Sequence, residues 1–199
     1  MELLILGATG RTGRAVTERA GKAGHRAIAY GRRPAEGAYE SLVGAFEDGA
    51  FGEAVREADA VLACLASSNS DPVCSRAAEA VLRANPTARY LTVAGAGVDR
   101  PTDEKGFSDK AVGFVMRLTV GRMLADRQKE VDMLAESQAR WTALRPPRLT
   151  EGKPTGRWTF SHDRPAATWI DRADLAGAML EALERDDLVG RAPFVSAVK

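Results

Sequence analysis

Short apolar runs alternate along the chain with longer segments whose apolar residues recur every three or four positions, the spacing of an amphipathic helix. Five of the runs are nearly continuous in apolar or β-prone residues, as expected for strands covered on both faces. They occupy residues 3–6, 26–30, 60–65, 90–94 and 141–144. Weaker strand patterns occur at 41–46 and 193–195, and the second would close a sheet edge. The alternation predicts an α/β fold with a doubly wound, mostly parallel sheet and helices on both faces.

Capping residues mark where two of the helices begin. Asp71 followed by Pro72 is the pattern of an N-cap and a first helical residue, and Asn85-Pro86 should end that helix. Asp171, three residues before Asp174, opens the last helix. The buried stripe of this last helix is predicted to consist of Leu175, Met179, Ala182 and Leu183.

The segment 107–140 is longer than an ordinary helix, and Gly113 and Gly121 are expected to divide or bend it. Its first part, 111–124, is more apolar than a surface helix requires. The pattern predicts a helix packed on the sheet, with a dimer surface or a substrate lid as the alternatives. The preceding residues, 103–105, are all charged and are expected to form a solvated loop.

The charge balance narrows the choice of partner. The chain has 28 Lys and Arg against 27 Asp and Glu, so it lacks the basic surplus typical of a nucleic-acid binder. No apolar stretch approaches the roughly 20 residues needed to cross a bilayer, and no leader pattern precedes the first strand. We therefore expect a cytoplasmic protein, monomeric or homodimeric, with a small-molecule substrate and neither nucleic acid nor membrane as partner. Its length predicts one domain over 1–199, with a small substrate-side excursion at about 146–170.

The few cysteines and histidines argue against a metal centre. Cys64 and Cys74 lie ten residues apart, in a predicted strand and a predicted helix, and this spacing fits neither a metal-ligand pair nor a disulfide framework. Both are expected to fill the core. The only histidines are His25 and His162, so we expect no metal site.

A glycine-rich turn, "GATGRTG" at 7–13, connects the first strand to the first helix. Its G-x-x-G-x-x-G spacing suits a phosphate, because missing side chains let the free amides and the positive end of the helix approach the anion. Gly7 would form the tight turn, Gly10 would allow close approach to a pyrophosphate, and Gly13 would let the helix pack on the strand. The alternative is a plain strand–helix connector, but the flanking strand and helix favour dinucleotide binding.

The end of the second strand indicates which dinucleotide. It reads Tyr30-Gly31-Arg32-Arg33-Pro34, without the Asp or Glu that bonds the ribose 2′-hydroxyl of NAD. Arg32 and Arg33 can instead grip a 2′-phosphate with charge-assisted hydrogen bonds, and Arg11 can reach the same group. The sequence predicts NADP as the cofactor, unless these arginines are solvated loop residues.

Several motifs together resemble the NmrA-like and biliverdin reductase B-like branch of the atypical short-chain dehydrogenase/reductases. The resemblance covers nearly the whole chain and includes "GATGRTG" at 7–13, "YGRRP" at 30–34, "ADAVLACLASSN" at 58–69, "YLTVAGAG" at 90–97, "WTALRPPRLTEGKPTG" at 141–156 and "IDRADLAGAMLEAL" at 170–183. It implies a Rossmann sheet with NADP along its carboxyl edge and a substrate pocket built by the later loops. It also implies that Thr9 and Thr12 join Gly7, Gly10, Arg11 and Gly13 at the pyrophosphate, and that Arg32 contacts the 2′-phosphate.

Two departures from the family pattern bear on the chemistry. The serine that biliverdin reductase B-like sequences carry after the fifth strand corresponds here to Ala96, and Gly44-Ala45 replaces the usual Gly-Asp after the third strand. The Tyr-x-x-x-Lys pair of ordinary short-chain dehydrogenases is also missing, since no tyrosine is followed four residues later by lysine. This absence argues against alcohol dehydrogenase activity and favours conjugated acceptors such as flavins or quinones, which spread charge over their rings.

Loops after the strands supply the remaining site residues, because open α/β sheets bind ligands at their carboxyl edge. We assign to the cofactor, besides the turn and the paired arginines, Ser67, Ala94, Gly95 and Pro146. We assign to the substrate pocket Ser68, Asn69, Gly97, Pro147 and Arg148. A helix-capping loop is the alternative for 67–69. Lys129 is a candidate ribose contact or proton source, or else part of a solvated helix face. Trp158 and His162 belong to a turn-rich, hairpin-like excursion.

The sequence leaves two functions open. One is an NADPH-dependent oxidoreductase that transfers hydride to a small conjugated acceptor. The other is an NADP-binding redox sensor of the NmrA type that signals through a partner. The chain lacks an extra partner-binding segment, which favours the enzyme, but it also lacks a recognisable acid–base pair.

Overall fold

A single parallel sheet organises the chain. A computed structural model describes residues 1–101, 103 and 107–198, without the side chains of residues 107–120. The strands of the sheet are β1 (Glu2–Leu6), β2 (Arg26–Gly31), β3 (Glu40–Val43), β4 (Ala60–Ala63), β5 (Arg89–Val93) and β6 (Arg140–Leu144). They are all parallel and follow the order β3-β2-β1-β4-β5-β6. This is the order of a doubly wound Rossmann sheet, so the predicted fold class is confirmed.

Over the described residues, five α-helices cover the two faces of the sheet. They are α1 (Arg11–Lys22), α2 (Gly49–Glu57), α3 (Val73–Ala84), α4 (Phe107–Glu136) and α5 (Arg172–Glu184). Helices α1 and α5 pack on one face through Val16, Leu175 and Met179, all fully buried. Helices α2, α3 and α4 pack on the other face, where Phe51, Val81, and Leu134 are buried. Continuous apolar strands are therefore covered on both sides, as a parallel sheet requires.

The excursion after β6 is not a hairpin. It contains β7 (Arg148–Thr150), β8 (Trp158–Ser161) and β9 (Trp169–Asp171), and a last strand, β10 (Phe194–Ala197), follows α5. Strand β7 pairs in parallel with β9, whereas β8 pairs antiparallel with β10. The hairpin-like prediction was wrong because the turn residues connect strands that pair elsewhere. The chain at 191–195 does run along the edge of β6, with the Arg145 amide donating to the Pro193 carbonyl at 2.9 Å, so the edge prediction is confirmed.

Two predicted helix boundaries differ from the structure. Helix α4 continues through Gly113 and Gly121, which therefore do not divide it. Helix α3 is N-capped by Pro72 instead of Asp71 and begins at Val73. Asp171 does cap α5 as predicted, although its carboxylate accepts a hydrogen bond from the Thr150 hydroxyl at 2.5 Å and caps no helical amide by its side chain. In the part of the chain that the structure describes, none of the helices is long and apolar enough to cross a bilayer.

Candidate functional site

The carboxyl ends of β1, β4, β5 and β6 surround a cavity of about 330 Å³. This is the edge at which the strand order reverses between β1 and β4, and doubly wound sheets bind ligands at that position. Of the residues assigned from the sequence, the cavity wall contains Arg11, Thr12, Ala94, Gly95, Pro146 and Pro147. The wall also contains seven residues that the sequence did not indicate: Cys64, Leu65, Ala66, Val93, Arg127, Leu149 and Arg172.

The glycine turn has the geometry that its spacing predicts. Gly7 adopts a φ of +81°, and a Cβ there would lie 2.6 Å from the carbonyl oxygen of Cys64. A Cβ on Gly13 would overlap the carbonyl of Gly7, so only glycine lets α1 pack this closely on the turn. Gly10 is the N-cap of α1 and supplies no side-chain cap, and no acidic residue lies in the first turn. The first amides of α1 are thus left for an anion in this half of the site.

Two arginines and one glutamate border the end of the cavity beside the glycine turn, which we call the anion-binding end because of the α1 amides there. Arg11 lies in the first turn of α1 and Arg172 opens α5, and both line the cavity. Their guanidinium groups share the Glu151 carboxylate, Arg172 at 2.5 Å and Arg11 at 3.4 Å. Arg172 is the more enclosed of the two, because 12% of its side chain is exposed against 75% for Arg11. The pair places positive charge beside the amides of α1.

The paired arginines after β2 lie at the outer end of the same edge. Arg32 and Arg33 are exposed, and the side chain of Arg32 retains 88% of its accessible surface. It approaches Asp71 of the β4–α3 loop to 4.0 Å, and Arg76 of α3 bonds the same carboxylate at 3.2 Å. Arg32 and Arg76 thus lie on either side of the Asp71 carboxylate, and the binding role that the sequence predicts for Arg32 and Arg33 stays a prediction.

A buried charged cluster borders the opposite end of the cavity. Arg127 of α4 lines the cavity, and its Nη1 donates to the Glu130 carboxylate at 2.7 Å and to the Thr92 hydroxyl at 3.3 Å. Its Nη2 donates to the carbonyl of Leu65. Glu130 is fully buried and accepts a second hydrogen bond, at 3.0 Å, from the Tyr90 hydroxyl. Helix α4 thereby fixes the ends of β4 and β5 relative to each other.

The ionisation of these groups follows from their surroundings. Burial alone would lower the pKa of Arg127, but the adjacent Glu130 carboxylate outweighs it and raises that pKa, so the guanidinium stays charged. Burial, and then the negative charge of Glu130, raise the pKa of Tyr90 well above its ordinary value. Burial likewise raises the pKa of the Cys64 thiol to about 12. Tyr90 and Cys64 are therefore protonated at neutral pH, and neither is tuned for proton transfer.

The loop after β4 caps a helix, which is the alternative that the sequence left open. The Asp126 carboxylate of α4 accepts hydrogen bonds from the buried Ser67 hydroxyl, from the Cys74 amide at 3.0 Å and from the Ser75 amide at 3.3 Å. Asp126 thus caps α3 from a different helix. The Ser68 hydroxyl accepts from the Asp71 amide at 3.1 Å. The proton of the Ser67 hydroxyl is thus used within the fold, whereas Ser68 is exposed.

Asp103 was expected in a solvated loop, and this prediction was wrong. Its carboxylate forms a bidentate ion pair with Arg145, both N–O distances being 2.7 Å. Only 1% of the Arg145 side chain and 4% of the Asp103 side chain are exposed. The Arg145 guanidinium also donates to the carbonyls of Val98 and Ala192 and lies 3.9 Å from the ring centre of Phe194. The sequence predicted a solvated loop because a run of charged residues is usually exposed. The buried partner of Asp103, Arg145, lies 42 residues away and is not evident from the local pattern. Glu104 and Lys105 lie outside the described residues.

The remaining predicted residues lie away from the main cavity. Lys129 is exposed on α4, as expected of a solvated helix face. Asn69 and Arg148 are exposed, and Arg148 belongs to β7. Gly97 instead lines a second cavity of about 370 Å³, together with Asp99, Gly121, Leu124, Ala125 and Gln128. His162 is exposed and Trp158 packs on Gly177 of α5, consistent with a non-catalytic excursion.

The sequence did not indicate that Arg172 and Arg127 line the cavity, for different reasons. Arg172 follows an N-cap aspartate. This position marks the start of a helix but does not show which end of the sheet that helix start faces. Arg127 lies in a helix rich in charged residues, and the local sequence does not distinguish a buried arginine from an exposed one. Among the described side chains, no group of three or more His, Cys, Asp or Glu has the arrangement of a metal site.

Comparison with known proteins adds the family context. A sequence model of a family described as NAD(P)H-binding matches residues 7–186. The match starts at the first glycine of the turn and includes every residue that lines the main cavity. It supports the resemblance to NAD(P)-binding Rossmann proteins that the motifs indicate. No curated protein sequence matches the chain.

Solved structures share the fold over essentially the whole chain. A candidate NADH-flavin reductase from Streptococcus pneumoniae TIGR4 has a TM-score of 0.80 and 21% identity, with all of both chains covered. An anaerobillin reductase from Escherichia coli O157:H7 has a TM-score of 0.78 and 19% identity, with 100% of this chain and 99% of that one covered. A candidate NAD-dependent epimerase/dehydratase from Bacillus halodurans has a TM-score of 0.78 and 20% identity, with 100% and 95% covered. At these identities the likeness extends to the fold alone.

Proposed function

The chain belongs to the NAD(P)H-binding family, and we propose that it is an NADPH-dependent oxidoreductase that transfers hydride to a small conjugated acceptor such as a flavin or a quinone. The observation that carries the proposal is the shape of one cavity. Its anion-binding end has the α1 amides with Arg11 and Arg172, and its inner end has apolar walls and a buried cation. Such a site suits a phosphate-bearing cofactor at one end and a planar acceptor at the other.

The residues present fit a dinucleotide. Gly7, Gly10 and Gly13 have no side chains to block the turn, so its amides can approach a diphosphate flanked by Arg11 and Arg172. Arg32 and Arg33 would hold a 2′-phosphate, and Arg76 lies beside Arg32 on the shared Asp71. NADPH, when bound, supplies the hydride. The preference for the phosphorylated cofactor rests on these arginines and on the missing acid after β2.

The walls of the inner end orient the reactants and keep out water. Val93, Pro147 and Leu149 supply apolar surface, and buried Pro146 fixes the chain opposite β5, where its carbonyl accepts from the Ala96 amide at 2.9 Å. A fixed, dry wall favours the close approach that hydride transfer requires. The lack of a tuned acid among the cavity-lining residues favours acceptors that take their proton from water.

The names of two structurally similar proteins agree with this reaction class. One is named as a candidate NADH-flavin reductase and the other as an anaerobillin reductase. The acceptor of the present chain is part of the proposal, because the likeness itself extends only to the fold.

The test measures NADPH oxidation by the purified protein with FMN and menadione, and repeats it with NADH. We expect turnover with at least one acceptor and a higher kcat/KM for NADPH than for NADH. Firm NADP binding without turnover across a wider acceptor panel would contradict the enzyme and support an NADP-binding sensor of the NmrA type. Failure to bind either cofactor form would contradict both.

A further inference from the structure

Resting on the function proposed above, we propose that Arg127 is a catalytic residue whose guanidinium stabilises the negative charge that develops on the acceptor as hydride arrives. It would take the place of the absent Tyr-x-x-x-Lys pair by electrostatic means instead of by proton donation.

The guanidinium retains donors for a ligand. An arginine side chain has five N–H groups. Three of those of Arg127 are taken by Glu130, Thr92 and the Leu65 carbonyl. Within the described part of the chain, its Nε–H and one Nη2–H have no acceptor. Since Arg127 lines the cavity and its side chain is 12% exposed, these donors are available to a molecule bound there.

The cluster behind Arg127 makes the charge rigid. Glu130 is fully buried, lies on the side of Arg127 away from solvent and is itself fixed by the Tyr90 hydroxyl. We assign Glu130 as a positioning residue, because it holds the guanidinium without lining the cavity. A preorganised donor costs little reorganisation during the reaction, which is the condition for strong electrostatic catalysis.

The chemistry balances without a protein acid. NADPH, when bound, would supply the hydride and both electrons: a C–H bond to the acceptor would form as the nicotinamide C–H bond breaks, which would leave NADP⁺. A quinone then carries the negative charge on oxygen, and a flavin carries it over its N1–C2 carbonyl region. Arg127 pairs with this anion until water donates the proton. The predicted substrates are therefore acceptors whose reduced form is a delocalised anion, and simple ketones are excluded because their localised alkoxide needs a proton donor.

The first experiment needs no turnover. 4-Nitrophenol is titrated in the presence of the protein saturated with NADP⁺, and its ionisation is followed by phenolate absorbance. A cation at contact distance should lower the pKa of the bound phenol by about 1 unit or more. We expect this shift in the wild type and in Arg83→Met, which removes an exposed guanidinium of α3 that does not line the cavity. Arg127→Met should abolish it.

The second experiment measures menadione reduction. Arg127→Met should lower kcat by about 100-fold, the scale of removing one preorganised donor, with NADP⁺ affinity unchanged. Arg127→Lys keeps the charge but loses the planar fork, and we expect it to lose about 10-fold. Arg83→Met, the same substitution at an exposed arginine of α3, should behave as wild type. If Arg127→Met does not fold, Arg127→Lys provides the test.

Several results would overturn the assignment. These are a wild type that does not shift the phenol, an Arg127→Met variant that retains the shift or the rate, and a loss of NADP⁺ affinity in that variant equal to its loss of kcat. A wild type that shifts the phenol but never oxidises NADPH would instead overturn the proposed function. The two failures are therefore distinguishable.

Discussion

Arg145 and Asp103 form a buried, bidentate ion pair that connects the end of β6 to the β5–α4 loop. Arg145 is followed directly by Pro146 and Pro147 of the cavity wall, and its Nη1 also donates to the Val98 carbonyl at 3.0 Å, three residues after Gly95. The pair therefore fixes both loops that form the inner end of the site. The ion pair affects the site only through these loops, because neither Arg145 nor Asp103 lines the cavity.

Removing the charge of one partner in this ion pair should destabilise the fold. Asp103→Asn leaves the Arg145 charge buried and uncompensated, and we expect it to lower the free energy of unfolding by about 3–5 kcal/mol. Urea denaturation measures the loss. The double variant Asp103→Leu with Arg145→Met should recover part of it, because two apolar groups leave no unpaired charge. A double variant that loses as much stability as the two single variants combined would contradict this account.

The glycine turn offers two substitutions that separate folding from binding. Gly13→Ala forces a methyl group into the Gly7 carbonyl, so we expect a loss of about 1–3 kcal/mol in stability, as in overpacked cores. Gly10→Ala places its methyl 3.3 Å from the same oxygen, where a small shift relieves the contact. It should fold nearly as wild type but bind NADP more weakly, because the methyl lies at the anion-binding N-terminus of α1. Thermal unfolding and calorimetric titration distinguish the two effects.

Cofactor choice is predicted to depend on the arginines after β2. The double variant Arg32→Ala with Arg33→Ala should weaken NADP binding by about 1.5–3 kcal/mol, the range for hydrogen bonds to charged groups. NAD binding, measured by the same calorimetric titration, should hardly change, since NAD has no 2′-phosphate. Equal losses for both cofactors would contradict the proposed preference.

Glu151 is predicted to compete with the cofactor. Its carboxylate occupies Arg11 and Arg172, the two cations proposed for the diphosphate, and its side chain is 61% exposed. Glu151→Gln should therefore increase NADPH affinity up to about five-fold, as expected for a surface ion pair worth up to about 1 kcal/mol. Glu184→Gln, at the other end of α5, is the matched control and should leave the affinity unchanged. A lower affinity in Glu151→Gln would show that the carboxylate positions the arginines.

Acid should weaken the cap that Asp126 provides for α3. Burial opposes its ionisation, but hydrogen bonds from Ser67, Ser75 and the amides of Cys74 and Ser75 outweigh this and lower the pKa of Asp126 below its ordinary 3.8. A lowered pKa in the folded state stabilises the fold at pH above 3.8, and the contribution is lost as pH falls through the folded value.

Asp126→Asn tests this dependence. It should lose about 1.5–3 kcal/mol of stability at neutral pH, because it removes hydrogen bonds to a charged group. The difference from wild type should shrink in acid, where Asp126 is protonated in both folded and unfolded chains. Asp163→Asn, in an exposed loop, serves as control and should show no such trend. A difference that stays constant with pH would contradict the assignment.

The sequence by itself determined the strands of the sheet, the geometry of the glycine turn and the position of two arginines directly after β2. These features depend on residues close together in the chain. Continuous apolar runs specify strands covered on both faces, and Gly7 and Gly13 satisfy a local contact within seven residues. Local spacing is also what carried the resemblance to NAD(P)-binding Rossmann proteins.

Only the tertiary structure decided which charged residues are buried and what they contact. Asp103 and Arg145 lie 42 residues apart, Ser67 and Asp126 lie 59 apart, and Arg127 meets the Leu65 carbonyl across 62 residues. The sequence favoured Lys129 over Arg127, although the two lie within one helical turn. A charge in an amphipathic segment has the same pattern whether it meets water or a buried carboxylate, so its role depends on the packing of distant elements.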